Sequence, residues 1–557
     1  MSSIGKEDPG DIQANHVENS TDDDDQNIDP GYWRSFRFLG TLLAIVLMAN
    51  TLFIGYSMPI NVLSVINADI GPSPNIYLVT LTFTLVSGVL LLIIGRFSDI
   101  IGRRYFMIGA QLFAVIGSII CARANNVDTV IAGTVLTGIA GGAQQLYMLL
   151  IQEIVPNKYR IYGQAAITVG IFPTLGFGPA IARALVQYTE LGWRWCYWLN
   201  AIVSGLSVIL YGLCYFPPTF HMINEEKTKL QQLKELDYFG LLLYCSGLIL
   251  LLLGFTWGQG TYPWKSAEVI STIVVGGVVL IAFALYETYM TPRQPLVPMK
   301  LLKIRNYVAV LIVGCVGQMV FYCLNVLWPT AISVFFTTDN IIIGLMSSTT
   351  GASLAIGEII VSPFFKLVGR PNLQLAMASV FLAVFSALMS LVDENKQSLG
   401  IVLTIFGGLG VGWVEAVAIL IAGLVVPPED IGAAQGLFAS MRAVTGTIAL
   451  SIYVSIFTDK LTAFLPKDIT AAVTKAGLPE SSLPDLFTAI VGEGTKMGYQ
   501  HTFRIVYLAS LAFGIVAIIS AFFVQDVSHL LTGFVNKKIH APHLKKSDKD
   551  DEMVEKA

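Results

Sequence analysis

Charged residues are scarce in this sequence. Only 13% of its 557 residues are Asp, Glu, Lys or Arg, whereas soluble domains usually carry about 25%. Hydrophobic residues make up 54%, and the mean hydropathy is +0.67. These values exclude an ordinary soluble chain and predict an all-α polytopic membrane protein, because helices satisfy their own backbone hydrogen bonds in lipid.

Several short motifs are also missing. No two of the six cysteines form a Cys-x-x-Cys pair, and all lie in or beside apolar runs, so we expect small buried hydrophobic side chains without disulfides or metal ligands. No Gly-rich phosphate loop is present, which argues against an ATP-driven pump. No His/Glu cluster or nucleophile–base pair stands out. The sequence therefore predicts no metal, no cofactor and no enzyme activity.

The two ends of the chain are polar. Residues 1–35 include four consecutive aspartates, Asp22–Asp25, and residues 531–557 are rich in lysine. Both segments are typical of disordered tails. The first has no basic region followed by a short apolar core, so we expect no removable signal peptide.

About fourteen apolar segments are long enough to cross a bilayer. They lie at about 38–60, 76–95, 104–122, 128–151, 163–185, 195–216, 238–257, 268–288, 307–332, 341–365, 372–392, 399–425, 432–457 and 502–524. We number them as spans 1 to 14. An even number places both tails on the same side of the membrane.

Basic residues are unequally shared between the two sets of loops. The richer set contains Arg96, Arg103, Arg104, Lys158, Arg160, Lys227, Lys229, Lys234, Arg293, Lys300, Lys303, Arg305, Lys366 and Arg370. The short loops of the other set contain only Arg123, Arg194, Lys265 and Lys396. The positive-inside rule therefore predicts that the richer set and both termini are cytoplasmic. The long loop from about Thr458 to His501 is then outside.

A faint internal repeat divides the chain. Aligning Gly369-Arg370 with Gly102-Arg103 places Lys366 opposite Asp99 and Ser362 opposite Gly95. This predicts two related six-helix bundles, 36–216 and 291–530. Residues 217–290 then form a cytoplasmic linker and two inserted helices.

The turn between spans 2 and 3 contains a distinctive set of residues. Its glycines permit a tight turn, and its acid can lie against the positive end of a neighbouring helix. The spacing Gly-x-x-x-Asp-x-x-Gly-Arg-Arg resembles the signature loop of major facilitator superfamily transporters, which implies a conformational gate. The residues concerned are Gly95, Asp99, Gly102, Arg103 and Arg104.

Further motifs narrow the resemblance. They lie at residues 66–71, 178–183, 193–200, 237–240 and 257–266, the last with the pattern Trp-Gly…Tyr-Pro-Trp. Together they are similar to the fourteen-span drug:proton antiporter type, and most of all to the fungal trichothecene efflux pump family and its kin, the siderophore transporters. The resemblance implies either proton-driven export of toxins or drugs, or uptake of iron-siderophores.

Two positions depart from the family pattern. Gly178 and Pro179 in span 5 resemble the glycine-proline motif of proton-driven exporters, but Ala182 and Arg183 stand where two glycines are usual. In span 4, Thr134 stands where many relatives have a coupling arginine. The span 5 motif is equally consistent with a helix-packing face that has no bearing on transport direction.

Charged residues inside spans are functional candidates because they are costly in lipid. Glu415 in span 12 and Arg442 in span 13 each lie about 13 residues from the turn that joins these spans, so both are roughly 20 Å deep. They form either a proton-coupling pair or a static ion pair. Glu358 in span 10 is a second candidate for proton coupling.

Neutral polar and aromatic residues in apolar spans are candidates for the substrate cavity. Three of them, in span 9, follow an i, i+4, i+7 pattern and share one helical stripe, which faces either the cavity or a neighbouring helix. The full set is Asn50, Tyr56, Gln144, Gln145, Tyr147, Gln318, Tyr322 and Asn325. Such a lining suits a bulky, weakly charged solute.

The sequence thus predicts a monomeric secondary transporter that exports a bulky organic compound, with the lipid bilayer, a small-molecule substrate and a proton gradient as partners and no nucleic acid. The main alternative is a siderophore–proton symporter, and a solute receptor is a further one. We expect the plasma membrane as its location, with the vacuolar membrane as the alternative.

Overall fold

The computed structural model describes residues 35–73, 76–217, 235–258, 262–290, 295–427, 430–475 and 483–530. Fourteen helices in this part are long and apolar enough to cross a membrane, which confirms the predicted number. Spans 1 to 6 comprise Phe36–Asn61, Tyr77–Ile101, Arg103–Ala122, Val127–Gln144 continued by Tyr147–Ile154, Arg160–Tyr188 and Arg194–Cys214.

The remaining spans follow the same order. Spans 7 and 8 are Tyr238–Trp257 and Ala267–Tyr289. Spans 9 to 14 are Arg305–Phe335, Asn340–Val368, Pro371–Leu388, Gln397–Leu424, Ile431–Lys475 and Leu483–Phe522. Span 1 contains a π-helical segment, Phe53–Ser57, and a short extra helix, Leu63–Asp69, follows it.

Two expected loops are helical. The candidate membrane-spanning part of span 2, Leu78–Gly95, ends at the predicted residue, but the helix continues through the expected turn to Ile101 and is ended by Gly102, whose φ is +105°. The expected loop between spans 13 and 14 is also largely helical, since the two helices extend beyond the apolar stretch and pack on each other. The ring of Phe464 lies 5.6 Å from that of His501 in this extension.

Helix packing repeats with an offset of eight spans. Span 1 packs on spans 5 and 6, span 2 on span 4, and span 3 on spans 4 and 6. Span 9 likewise packs on spans 13 and 14, span 10 on span 12, and span 11 on spans 12 and 14. Gly102 and Gly369 both have positive φ at the end of equivalent helices, as their alignment in the sequence requires. Among the described helices, spans 1–6 and spans 9–14 therefore pack in two similar groups of six, which are called bundles below.

The bundles meet through two helix pairs: span 5 packs on span 10, and span 2 packs on span 13. The offset of eight spans relates span 5 to span 13 and span 2 to span 10, so the two pairs are equivalent. Small residues at these contacts allow the helix backbones to approach closely. This is usual in membranes, where the hydrophobic effect does not drive helices together. A Cβ added to Gly351 of span 10 would lie 2.2 Å from the carbonyl oxygen of Leu175 in span 5. One added to Gly95 of span 2 would lie 2.9 Å from the carbonyl oxygen of Gly432 in span 13.

The inserted helices, spans 7 and 8, pack on each other and lie against one of these pairs. Span 7 contacts both span 2 and span 13, and the hydroxyl of Tyr244 hydrogen-bonds to Ser440 of span 13. Asp237 caps span 7 through the backbone N–H of Gly240 (2.8 Å) and accepts a hydrogen bond from Tyr286 of span 8 (3.0 Å). The inserted pair is thus attached to the outside of the bundle interface.

Candidate substrate and coupling site

The ends of the spans that carry Arg103, Lys158, Lys300 and Arg370 are called the basic end below, and the ends that carry Arg194 and Lys396 the opposite end. The basic end is closed by buried hydrogen bonds between the bundles. Gln152 of span 4 donates to the carbonyl oxygen of Ile419 in span 12 (3.1 Å). Gln435 of span 13 donates to Gln152 (3.1 Å), and Arg160 of span 5 donates to the carbonyl oxygen of Gly423 (3.3 Å).

The predicted gate lies at this closed end. Arg103 is only 3% exposed, and its guanidinium forms an ion pair with Glu153 of span 4 at 2.8 Å. It also donates to Ser98 and to the carbonyl oxygen of Gly95 (3.4 Å). The arginine thereby connects the ends of spans 2, 3 and 4.

The other members of the gate differ in their surroundings. Arg104 donates to the carbonyl oxygen of Gly212 (2.5 Å), and its guanidinium lies 3.9 Å from the ring centroid of Phe216. The side chains of Asp99 and Lys366, which the repeat places opposite each other, lie outside the described part of the structure. The charge–dipole contact expected of Asp99 stays a prediction.

Glu415 and Arg442 meet in the middle of the C-terminal bundle. The guanidinium donates to the Glu415 carboxylate at 2.5 Å and to Oε1 of Gln318 at 2.7 Å. The side chains of Arg442 and Glu415 are 13% and 18% exposed. The guanidinium carbon also lies 5.5 Å from the ring centroid of Phe438. Spans 9, 12 and 13 therefore present one polar group where the surrounding helices are apolar.

Glu358 of span 10 lies within electrostatic range of this pair, and it contacts the other bundle. The hydroxyl of Thr168 in span 5 is 2.5 Å from Glu358 Oε2. The side chain of Tyr147 in span 4 lies within electrostatic range of Glu358, Glu415 and Arg442. Glu358 also interacts with Glu415 and Arg442. The structure thus brings all three predicted coupling residues together with two predicted cavity residues, Gln318 and Tyr147.

The aromatic candidates also come together. Tyr56 of span 1 stacks on Phe83 of span 2 with 4.5 Å between ring centroids, and its hydroxyl is 3.2 Å from Oγ1 of Thr84. Tyr322 of span 9 interacts electrostatically with Tyr56 and with Arg442. Residues of the two bundles therefore face each other at this level.

The polar stripe of span 9 lines the same region. Gln318 is bonded to Arg442, Tyr322 is half-buried, and Asn325 is exposed two turns toward the opposite end. A Cβ added to Gly446 of span 13 would lie 2.7 Å from the ring of Tyr322. Asn325 is thus the exposed end of this stripe.

Other predicted cavity residues are used in helix contacts. The amide of Asn50 donates to the carbonyl oxygens of Val46 (2.8 Å) and Gly170 (3.1 Å), and its oxygen accepts from Thr174 (2.6 Å). Asn50 therefore joins spans 1 and 5.

The two glutamines of span 4 differ in burial and in hydrogen bonding. Gln144 donates to Gln111 of span 3 at 2.9 Å and is 2% exposed. Gln145 is half-buried at the break between the two helical segments of span 4. Gln144 thus belongs to a polar network inside the N-terminal bundle.

The glycine-proline motif of span 5 lies within a continuous helix. Pro179 is in the interior of Arg160–Tyr188, and a Cβ added to Gly178 would lie 3.7 Å from Cγ of Met58 in span 1. The nearby Arg183 donates to the backbone oxygen and to Oδ1 of Asn340, both at 3.1 Å. This last contact extends the pairing of spans 5 and 10 to the opposite end.

Sequence reasoning missed several residues that the site uses. Glu153, Gln152, Gln435 and Thr168 all bond across spans, yet none was a candidate. Glu153 lies just past the predicted end of span 4, so an acid at a span end was the signal available. Five of the six cysteines are buried and Cys245 is half-buried. The described residues contain no group of three or more metal-ligating side chains.

Comparison with known proteins places this site in context. A sequence model described as fungal trichothecene efflux pump (TRI12) matches residues 8–497. The trichothecene efflux pump TRI12 of Fusarium sporotrichioides is 26% identical over 92% of this chain and 89% of its own length. The MFS-type transporter prx5 of Penicillium rubens is 28% identical over 78% of this chain and 84% of its own.

Solved structures agree on the fold. The human organic anion transporter MFSD10 (TETRAN) superposes with a TM-score of 0.54 at 12% identity, over 87% of this chain and 99% of that one. A double-tryptophan mutant of XylE superposes with a TM-score of 0.51 at 14% identity, over 90% of this chain and 98% of that one. Both likenesses support the major facilitator fold for this chain.

Proposed function

We propose a transport function for this chain, which belongs to the fungal trichothecene efflux pump family. It exports a bulky, weakly charged organic compound in exchange for protons. Relatives named as efflux transporters include those of Trichoderma arundinaceum and Pyricularia grisea. These names favour export, and the siderophore-uptake alternative is not favoured.

One observation carries the proposal. Arg442, Glu415 and Gln318 form a bonded polar group. Tyr147 of the other bundle lies within electrostatic range of this group, and Tyr56 of that bundle lies within range of Tyr322 in span 9. Aromatic rings and a neutral amide provide stacking and hydrogen bonding to a large amphiphilic solute. The adjacent acids provide groups that can exchange a proton.

Alternating access follows from how the bundles touch. In the proposed cycle the Gln152, Gln435 and Arg160 contacts close the basic end, and the exposure of Asn325 supports an opening at the opposite end. Rocking of the two bundles about spans 5 and 10 and spans 2 and 13 would open the basic end instead. The same central group would then face each side of the membrane in turn.

Orientation and location belong to the proposal as well. The excess of lysine and arginine in one set of loops supports a cytoplasmic basic end and cytoplasmic termini. Export then requires loading at the basic end and release at the opposite end. We propose the plasma membrane as the location and a monomer as the working unit.

The test is a transport assay in yeast cells that lack their own drug efflux pumps. Cells that express the chain should retain less of a radiolabelled trichothecene than cells with an empty vector. Asp99→Asn should reach the membrane in the same amount but export less, because the gate has lost its charge. Equal retention with and without the chain, or increased uptake of a ferric siderophore, would overturn the proposal.

A further inference from the structure

We propose that Glu358 is the residue that carries the exchanged proton, and that in the state with a closed basic end it is protonated and donates a hydrogen bond to Thr168 across the bundle interface. The inference rests on the proposed function for the exchange itself. It adds the identity of the carrier and the conformation in which the carrier is loaded.

The Thr168 hydroxyl has fewer hydrogens than its two contacts require if Glu358 is ionised. The Thr168 hydroxyl has two partners, Glu358 Oε2 at 2.5 Å and the backbone carbonyl oxygen of Gln164 at 3.1 Å. A hydroxyl has one hydrogen, and a carbonyl oxygen and an ionised carboxylate can only accept. With Glu358 ionised, the single hydroxyl hydrogen would have to be shared between both contacts. With Glu358 protonated, it donates to Thr168, and Thr168 donates to Gln164.

The surroundings favour the same protonation state. Glu358 is 3% exposed and Thr168 is fully buried. Within the described residues Glu358 forms no ion pair, and the charged or titratable groups that act on it are Glu415, Arg442 and Tyr147. An ionised carboxylate without a cation partner is very costly in such a place, and it takes up a proton instead.

The neighbouring acid is in a different situation. Glu415 has its own cation, because Arg442 donates to it at 2.5 Å, and both are partly exposed. Arg442 is therefore engaged by Glu415, and Glu358 has no cation of its own among the described residues. The two acids therefore have different roles, with Glu358 carrying the proton and Glu415 holding Arg442 in the central polar group.

The position of Glu358 explains how conformation controls the proton. Thr168 and Glu358 lie on spans 5 and 10, one of the two helix pairs that join the bundles. Glu358 is ten residues from Val368, or about 15 Å from the basic end of its helix. Closure of that end separates it from water. When the bundles part there, Glu358 loses Thr168 and meets water, its O–H bond breaks, and the proton passes to a water molecule. The carboxylate is left behind, and no other reactant is needed.

Infrared difference spectroscopy on the purified chain tests the protonation state without any substrate. At neutral pH the wild type should show a protonated-carboxyl C=O band that is lost completely in Glu358→Gln and kept in Glu415→Gln. A band that persists in Glu358→Gln, or that disappears in Glu415→Gln, would overturn the inference. Since no transport is measured, this result does not depend on whether the chain exports anything.

A second measurement tests the role of the contact. In vesicles loaded with a radiolabelled trichothecene, we compare transport rates with and without an imposed pH gradient. The ratio of the two rates should fall to one in Glu358→Gln and decrease in Thr168→Val, whereas Thr168→Ser keeps the hydroxyl and should restore it. A wild-type ratio above one that Glu358→Gln leaves intact would refute the carrier, while a wild type without transport would refute the proposed function.

Discussion

Replacing one or both members of the pair formed by Glu415 and Arg442 should show how much this contact stabilises the transporter. Arg442→Met leaves a carboxylate and Gln318 without their donor, in a place where the Glu415 side chain is only 18% exposed. Breaking a buried ion pair by removing one partner costs about 3–5 kcal/mol. Because the pair retains some exposure, we expect about 3 kcal/mol, at the lower end of that range.

The double variant Glu415→Gln with Arg442→Met removes both charges together. It should be less destabilised than Arg442→Met alone, because no unpaired charge remains buried. We expect the effects of the single substitutions to be non-additive by about 2 kcal/mol. The free energy of unfolding, measured by denaturant titration in mixed micelles for the wild type and all three variants, gives this coupling directly.

Additive effects would refute the reasoning, since they would mean that the two charges do not interact. The double variant also separates the stabilising role of the Glu415–Arg442 pair from proton transport. If Glu358 carries the proton, the ratio of transport rates with and without a pH gradient stays above one in the double variant, even where substrate binding is weaker. A ratio of one would assign the proton to Glu415 instead.

Three further substitutions test the closed end, the bundle contact and the opposite end. Arg103→Met removes a buried ion pair with Glu153 and should lower the free energy of unfolding by about 3 kcal/mol, whereas loss of an exposed pair would cost under about 1 kcal/mol. Gly351→Ala should prevent close packing of spans 5 and 10 and reduce transport at unchanged membrane levels, while Gly109→Ala, where a Cβ meets nothing within 4 Å, serves as the matched control and should transport normally. Hydrogen bonds from Trp193 and Arg194 hold the pKa of Asp69 below its ordinary value. The stabilisation from this carboxylate is therefore present above the ordinary pKa and is lost as the pH falls through the lowered pKa. A thermal-unfolding series down to acid pH should show a loss of stability that Asp69→Asn lacks.

The membrane-spanning architecture could be predicted from the sequence because it depends on local properties. Each apolar run of about 20 residues is a helix in lipid whatever surrounds it, so the number of spans and most of their limits follow from composition. The exceptions lie where the apolar pattern and the helix end at different places. Helix continues past Gly95 to Ile101, and spans 13 and 14 extend beyond their apolar stretches.

The site could be predicted only where a residue is unusual for its span. Glu415, Arg442 and Glu358 are charges in apolar helices, and the structure brings them together. Polar amides are ambiguous in this respect, because a cavity lining and a helix contact have the same composition. Asn50 bonds to span 5 although its partner Gly170 is 120 residues away, and nothing in its own segment indicates this.

Unremarkable residues could not be found at all. Thr168 is one of many threonines in the spans. Its partner Glu358 is 190 residues away in the sequence, and their contact depends on how the two bundles pack. Gln152 and Gln435, which close the basic end, are separated by 283 residues. Such contacts are set by the approach of whole helices, which no local pattern in the sequence specifies.

The most direct test of proton-driven export uses the purified chain in vesicles whose interior is made acidic, with the basic end facing outward. The account predicts that a radiolabelled trichothecene accumulates inside these vesicles, and that a protonophore abolishes the accumulation. Accumulation that survives the protonophore, or none in vesicles that contain correctly folded protein, would contradict it.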